Sequence, residues 1–546
     1  MPKLLPWFRR KDWELPLPEA VWGERPAIYE HVHRHLLPGG EGLAPGGEEL
    51  PDESENQTGF HWAAGAFDGS FGHHFASSEE VERTGEVLRS LLAVLDHADA
   101  ERVRVFYGLL REGGALEIVD PLLEAVRTVP VEKPERLRAL SRWLATHAPD
   151  REPVKTAIAV LGLFKDSQDR DLFLTLGRHE EFTLYAGVAV ANSQTRPDEP
   201  LWELARSVRG WGRIQIVERL AKTHNPRIRR WLLIEGYKNS VMYEYTAALC
   251  ARAGGLRAEL AKEPPAPEVI TAAGDLITAL IQGGPAEDME DYEDGPAVVE
   301  RYLDILRTRA DSLDQLLSVQ AVRTFLEGEE VDWSILEERG WSPKLRRRLR
   351  TACAALLARP EWRERVETEL SASDPAVYYR AAQAARVLGI DVWDRHLERL
   401  RQGDPNLWSS VMQTDDPERV DRALELARET TNLDAIASGP ADSLGLGPGF
   451  EPHSRLDFIL QELGRFPGHG WDFVRAGLRS PSIRNRNIAL SCLGTWGREN
   501  WPPEAEMALH RALREEPSED VKARIEKVLA GQPLDELDDE EEEMED

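Results

Sequence analysis

The sequence predicts an all-α protein, organised as an α-solenoid of helical hairpins behind an irregular N-terminal cap. Three observations carry that prediction. Apolar residues recur at helical spacing from about residue 79 onward. No segment alternates Val, Ile and Thr with the period of two that marks a strand. One short capping pattern returns along the chain. At roughly 150 residues per domain, 546 residues would suggest three or four domains, but a stack of repeats reaches that size as one or two continuous arrays.

In chain order, residues 1–78 form the expected cap. They hold Pro38-Gly39-Gly40 and Pro45-Gly46-Gly47, many aromatics and six of the fourteen histidines, with room for one short helix. Within it, Phe60, Trp62, Phe67, Phe71 and Phe75 suit a plug over the open apolar end of the first repeat. Residues 79–284 are expected as a first helical array, with sets such as Leu88, Leu91, Leu92, Leu95 and Leu137, Leu140, Leu144 on single helix faces. Residues 285–296 join Gly and Pro to a run of acids and read as an acidic linker or loop. Residues 297–531 form a second array, beginning with Val299, Tyr302, Leu303 and Leu306, and carry a long glycine-rich loop at 439–453. Residues 532–546 are expected to be a disordered acidic tail.

The recurring pattern is a capping residue, Pro, any residue, a β-branched apolar residue, two positions and a large side chain. It stands at Asn225-Pro226-Arg227-Ile228, Asp374-Pro375-Ala376-Val377 and Ser480-Pro481-Ser482-Ile483. Asn, Asp or Ser satisfies the first free amides, and Pro gives up an amide that lacks a helical partner anyway. SPSIRNRNIALSCLGTWG at 480–497, EDVKARIEKVLAG at 519–531 and DPAVYYRAAQAARVLGI at 374–390 resemble the first helices of HEAT repeats. The resemblance is strongest between about 150 and 250 and from about 370 onward, and it implies a stack of helix pairs presenting a surface to a partner. GWGRIQIVERL at 210–220 and LGPGFEPHSRLDFILQELG at 446–464 also resemble bacterial HEAT-like chains that have carried a limonene hydroxylase label. A hydroxylase would need a haem-binding Cys, a flavin fold or an iron triad, and the first two have no support in the residues.

Charge narrows the partners. The chain has 67 Lys+Arg against 97 Asp+Glu, a net charge of −30. Runs at 535–546, 287–294 and 48–55 hold ten, six and five acids with no Lys or Arg, so 21 of those charges lie in three short segments. The remainder is mildly acidic, which still disfavours phosphate-backbone binding, even with the basic cluster Lys344 to Arg350. Cys250, Cys353 and Cys492 stand far apart and offer neither a disulfide framework nor a metal knuckle. Arg9, Arg10, Lys11 and Asp12 interrupt any signal-peptide core, and no stretch reaches the roughly 18 apolar residues of a spanning helix, so a cytoplasmic protein without membrane contact is expected.

Two kinds of site emerge. Trp211, Arg213, Arg229, Arg230, Trp231, Tyr237, Lys238 and Tyr243 are the residue types of binding hot spots and form the expected partner surface. The same types also serve packing between repeats. The partner is a protein or peptide, with an acidic one suited to Arg229, Arg230 and Lys238. His61, Asp68, His73 and His74 have the chemistry of a zinc or non-haem iron ligand set, although their spacing matches no established motif. His31 and His35, four apart, share a helix face that excludes His33. Glu451, His453 and Arg455 on the glycine-rich loop offer a small acid/base set. There is no GxSxG, HExxH or phosphate-binding GK[ST] sequence. The reading is therefore a non-catalytic adaptor or scaffold with no cofactor. The alternative is a metal-dependent hydrolase or oxygenase using the His/Asp cluster or the 439–453 loop.

Overall fold

The computed structural model describes residues 21–53, 78–128, 134–165, 167–329, 331–445, 447 and 449–534. Contacts divide the chain into two compact units, Met1–Leu388 and Gly389–Asp546. Among the described residues no β-strand occurs, only the isolated bridges Leu36–Leu43 and Ser443–Ser482. The fold is all-α.

In the first unit the helices are α1 (Ile28–Arg34), α2 (Ser78–Asp96), α3 (Ala100–Arg111), α4 (Ala115–Thr128), α5 (Pro134–His147), α6 (Arg151–Leu161), α7 (Arg170–Leu176), α8 (Glu180–Ser193), α9 (Asp198–Ser207) and α10 (Trp211–Leu220). They continue as α11 (Pro226–Trp231), α12 (Glu244–Gly254), α13 (Leu256–Leu260), α14 (Pro267–Gln282), α15 (Gly295–Arg309), α16 (Leu313–Glu327), α17 (Trp333–Glu338), α18 (Pro343–Leu357), α19 (Glu361–Glu369) and α20 (Pro375–Val387). Every second helix packs on the next of its kind, α2 on α4, then α6, α8, α10, α12, α14, α16 and α18. The intervening helices α5, α7, α9, α11 and α13 each pack on the rung that follows them. This ladder is the α-solenoid expected from the sequence.

Helical periodicity accounts for the core. Leu91, Leu95, Leu137, Leu140, Leu144, Val299, Tyr302, Leu303 and Leu306 are all buried. Rungs touch closely where residues are small: a Cβ at Gly187 of α8 would lie 2.2 Å from Ile216 Cδ1 of α10. The caps act largely as their chemistry requires. Asn225 accepts from Arg227 N at 3.0 Å and Asp374 from Ala376 N at 2.9 Å, each ahead of a helix that starts with Pro. At 480–483 the helix starts later than the pattern suggests, at Ile483, and Ser480 instead accepts from Ser482 N at 3.1 Å and turns inward.

The N-terminal segment straps across the ladder's outer helices, α1 packing on α5 and α7. Charged pairs fasten both ends of the strap. Arg25 forks onto Asp150 with both bonds at 2.7 Å, and Arg151 holds Asp52 through its backbone N at 2.8 Å, Nε at 3.0 Å and Nη2 at 2.9 Å. His31 and His35 do share a face, their rings 4.4 Å apart, while His33 stacks on Tyr29. The proposed aromatic plug, Phe60 to Phe75, lies outside the described residues.

The acidic stretch expected at 285–296 lies inside the first unit and is packed. Met289 and Tyr292 are buried. Arg252 pairs with Glu287 and Glu293 and donates to the Asp291 carbonyl at 2.9 Å, Arg257 meets Asp294 at 2.8 Å, and Arg339 meets Asp291 at 3.3 Å. Arginines on neighbouring helices thus draw the acids onto the array.

The second unit contains α21 (Trp393–Arg401), α22 (Trp408–Met412), α23 (Pro417–Thr430), α24 (Leu433–Ile436), α25 (Glu451–Leu463), α26 (Trp471–Gly477), α27 (Ile483–Trp496), α28 (Ala505–Glu515) and α29 (Glu519–Leu529). A shorter ladder runs α22, α25, α27, α29. Arg486, from the recurring pattern, is buried against Glu516 at 2.8 Å and donates to the carbonyls of Ala441, Ser480 and Pro481. The first of these ties down the base of the glycine-rich loop. No described helix is long and apolar enough to cross a membrane.

Candidate functional site: an apolar groove along the first ladder

Helix α10 places the central side chains of the site, and its start is fixed from outside. Glu180, at the head of α8, accepts from Arg209 N, Gly210 N and Gly212 N, each at 2.7 Å. One carboxylate therefore satisfies amides that a helix N-terminus leaves open, and its charge suits that end of the helix dipole. Gly212 is required for this approach: a Cβ there would lie 2.5 Å from Thr183 Oγ1 and 2.8 Å from Glu180 Oε2. The GWG triplet at 210–212 is thus the seat on which Trp211 stands.

From that seat, Trp211, Ile214, Gln215, Glu218 and Arg219 fall on one face of α10 and line a groove of ≈ 590 Å³. Its other walls come from α4, α6, α8, α12 and the turn at Pro285 and Ala286. Leu116, Val119 and Leu123 form one side, Leu184 and Val188 the middle, and Tyr245 packs on Trp211 with ring centroids 5.1 Å apart. Leu184, Val188, Trp211 and Tyr245 are half-buried, so apolar surface remains open along successive rungs. Such a concave, mainly apolar lining with a few polar groups is the usual character of a binding site. Asp120 and Glu218 are exposed at its edge, whereas Arg219 is half-buried within it.

Of the residues expected to form the partner surface, Trp211 alone lines this groove. Arg213, Arg229, Arg230, Trp231 and Tyr237 make contacts between helices of the ladder, and Lys238 and Tyr243 make local ones. Arg213 stacks over Trp231 at 5.2 Å and donates to the Glu235 carbonyl, and burial lowers its pKa. Trp231 meets Trp202 edge-on at 6.3 Å. Arg229 donates to the Ala253 carbonyl at 2.7 Å, Arg230 pairs with Glu259 at 3.0 Å and Glu268 at 2.7 Å, and Lys238 with Glu235 at 3.0 Å. Tyr237 is fully buried and donates to Asp275 at 2.7 Å, while Tyr243 remains 37% exposed with its ring edge-on to Tyr237. Burial pushes both phenols up.

The remaining candidates resolve as follows. His61, Asp68, His73 and His74 lie outside the described residues. Among the described residues no group of three or more His, Cys, Asp or Glu is arranged to hold a metal ion. Glu451, His453 and Arg455 do not converge: Glu451 accepts from Gly449 N at 3.0 Å, Arg455 donates to the Thr430 carbonyl at 2.9 Å, and His453 is buried, its Nδ1 2.9 Å from Ser480 Oγ and 3.0 Å from Asn485 Oδ1. In the basic cluster, Arg346 pairs with Glu337 at 2.7 Å and Arg348 with Glu300, leaving Lys344 and Arg347 exposed.

The groove residues that sequence reasoning passed over had a faint signal. Helix α8, EEFTLYAGVAVANS, is apolar on nearly every side after its first turn, as befits a rung buried between neighbours, so its pattern does not single out Leu184 and Val188.

No protein-family model and no curated protein matches the chain. Among solved structures it is similar to a chain of a "Homology model of the full-length AP-3 complex in an intermediate open conformation", with 11% identity, a TM-score of 0.26, and coverage of 83% of this chain and 92% of that one.

Proposed function

We propose that the protein is a non-catalytic adaptor that holds a peptide or protein segment in the groove along α4, α6, α8, α10 and α12. The observation that carries this reading is the open apolar lining itself. Leu184, Val188, Trp211 and Tyr245 are half-buried side chains on consecutive rungs, and the Glu180 cap holds α10 in place before any partner arrives. Preorganised apolar and aromatic surface is what makes association favourable once the entropy of docking is met. The hairpins are read as HEAT-like repeats, supported by the Asn225-Pro226 and Asp374-Pro375 helix starts.

The test is comparative affinity purification from the native host with the full chain and with the double variant Leu184→Asp, Val188→Asp, whose fold is checked by circular dichroism. Partners captured by the natural sequence and lost by the folded variant are the expected result. An unchanged set of partners removes the groove from the proposal.

A further inference from the structure

Within that groove one cation, Arg219, lacks the carboxylate partner that most half-buried cations of the first unit have. Most half-buried and buried cations elsewhere in the first unit face carboxylates: Arg138 meets Asp169, Arg151 meets Asp52, Lys155 meets Glu152 at 3.0 Å and Glu181 at 2.6 Å. Arg219 has no such partner. Its Nη1 donates to the Gln215 carbonyl of its own helix at 2.8 Å, and among the described residues no carboxylate lies within ion-pairing distance of it. Among the described residues nothing bonds the Nε and Nη2 edge, the edge that forks onto carboxylates, and that edge reaches solvent. Burial lowers its pKa, with the neighbouring Glu218 the sole charge acting against that shift. A half-buried guanidinium with Glu218 as the one nearby carboxylate is offset only in part, and a carboxylate arriving on its open edge adds a charge-assisted hydrogen bond. Arg213, on the same helix, is also without a carboxylate, but it is absorbed by Trp231 and the Glu235 carbonyl and lies off the groove.

We propose that Arg219 is the carboxylate anchor of the groove, so that its occupant is an apolar peptide segment carrying one Asp or Glu side chain. This rests on the binding reading above and adds the chemistry of the ligand. The charge distribution fits a single carboxylate. One guanidinium matches its planar, singly charged fork, whereas a phosphate would leave its second charge uncompensated beside Asp120 and Glu218. Those two acids at the edge favour basic residues flanking the apolar segment.

A random peptide library displayed without free C-termini is selected against the full chain, against Arg219→Gln and against the Leu184→Asp, Val188→Asp variant. The natural sequence is expected to enrich apolar peptides with an acid at one fixed position. A synthetic peptide of that type is expected to bind Arg219→Gln about tenfold more weakly, the size of one charge-assisted hydrogen bond. Its Asn or Gln counterpart should bind both proteins alike, which isolates the pair. Because Arg219 has no carboxylate partner to lose, only its bond to the Gln215 carbonyl, Arg219→Gln is expected to melt within a few degrees of the natural sequence. Enriched peptides without an acid position, or equal losses for acid and amide peptides, overturn the anchor and leave the groove standing. Enrichment of the same peptides by the Leu184/Val188 variant, or of none by the natural sequence, overturns the groove itself and the anchor with it.

Discussion

Glu180 and Gly212 meet across two rungs of the ladder, the carboxylate of one accepting the backbone amide of the other at 2.7 Å, in space that any side chain at 212 would occupy. Removing the acceptor strands the amides of Arg209, Gly210 and Gly212. Glu180→Ala is expected to cost about 1–2 kcal/mol, in line with the loss of a strong helix cap. Gly212→Ala should cost about 1–3 kcal/mol by forcing Thr183 and Glu180 apart. Urea denaturation followed by circular dichroism measures both, and a midpoint unmoved by either change would refute the seat described for Trp211.

The Arg486–Glu516 pair of the second unit offers a sharper comparison, since each side chain is 1% exposed. Breaking a buried pair from one side costs about 3–5 kcal/mol. Arg486→Met should be the worse of the two, because the guanidinium also serves three carbonyls, whereas Glu516→Gln keeps an acceptor oxygen for Arg486. Equal destabilisation in denaturant melts would show that those carbonyl contacts contribute nothing.

Asp275 predicts a pH effect. Burial raises its carboxyl above the ordinary value, the Tyr237 hydrogen bond acting against the shift. In a fold that raises a carboxyl, stability is unaffected while both states are protonated, and it declines as pH climbs from the ordinary Asp value, about 4, toward the raised one. Asp275→Asn keeps an acceptor for Tyr237 and has no charge to bury. Its melting temperature relative to the natural sequence should therefore rise between acidic and neutral pH. A constant difference across that range would contradict the assignment.

The three cysteines give a chemical check on the packing. Cys250, Cys353 and Cys492 are buried, and burial pushes the thiols of Cys353 and Cys492 up to about 12 and that of Cys250 higher still. A thiol that is neither ionised nor accessible does not react. Ellman's reagent should modify none of the three in native protein at neutral pH and all three in denaturant. A rapidly reacting native thiol would place at least one of these helices elsewhere.

The ladder was legible in the sequence because each rung buries residues at a period of 3.6, as Leu137, Leu140 and Leu144 do, and because Asn225 and Asp374 announce their helices. The groove was not. Whether an apolar residue such as Val188 meets a neighbour or open space is decided by the helices flanking its rung, and no local pattern records that. Hot-spot composition is ambiguous for a related reason: Arg230, Trp231 and Tyr237 are what a partner surface needs, and equally what one hairpin needs to grip the next. Arg219 went unnoticed because its distinction lies in a missing neighbour.

A ladder in which each rung touches the rung before and after it stores its stability locally, so separate stretches can open without the whole array unfolding. The groove crosses five successive rungs, α4 to α12. An occupant lying along it would act as a splint, joining segments that otherwise fluctuate on their own. Amides of α4 and α12, distant in sequence, would then exchange with solvent as one block when the groove is filled and as several when it is empty.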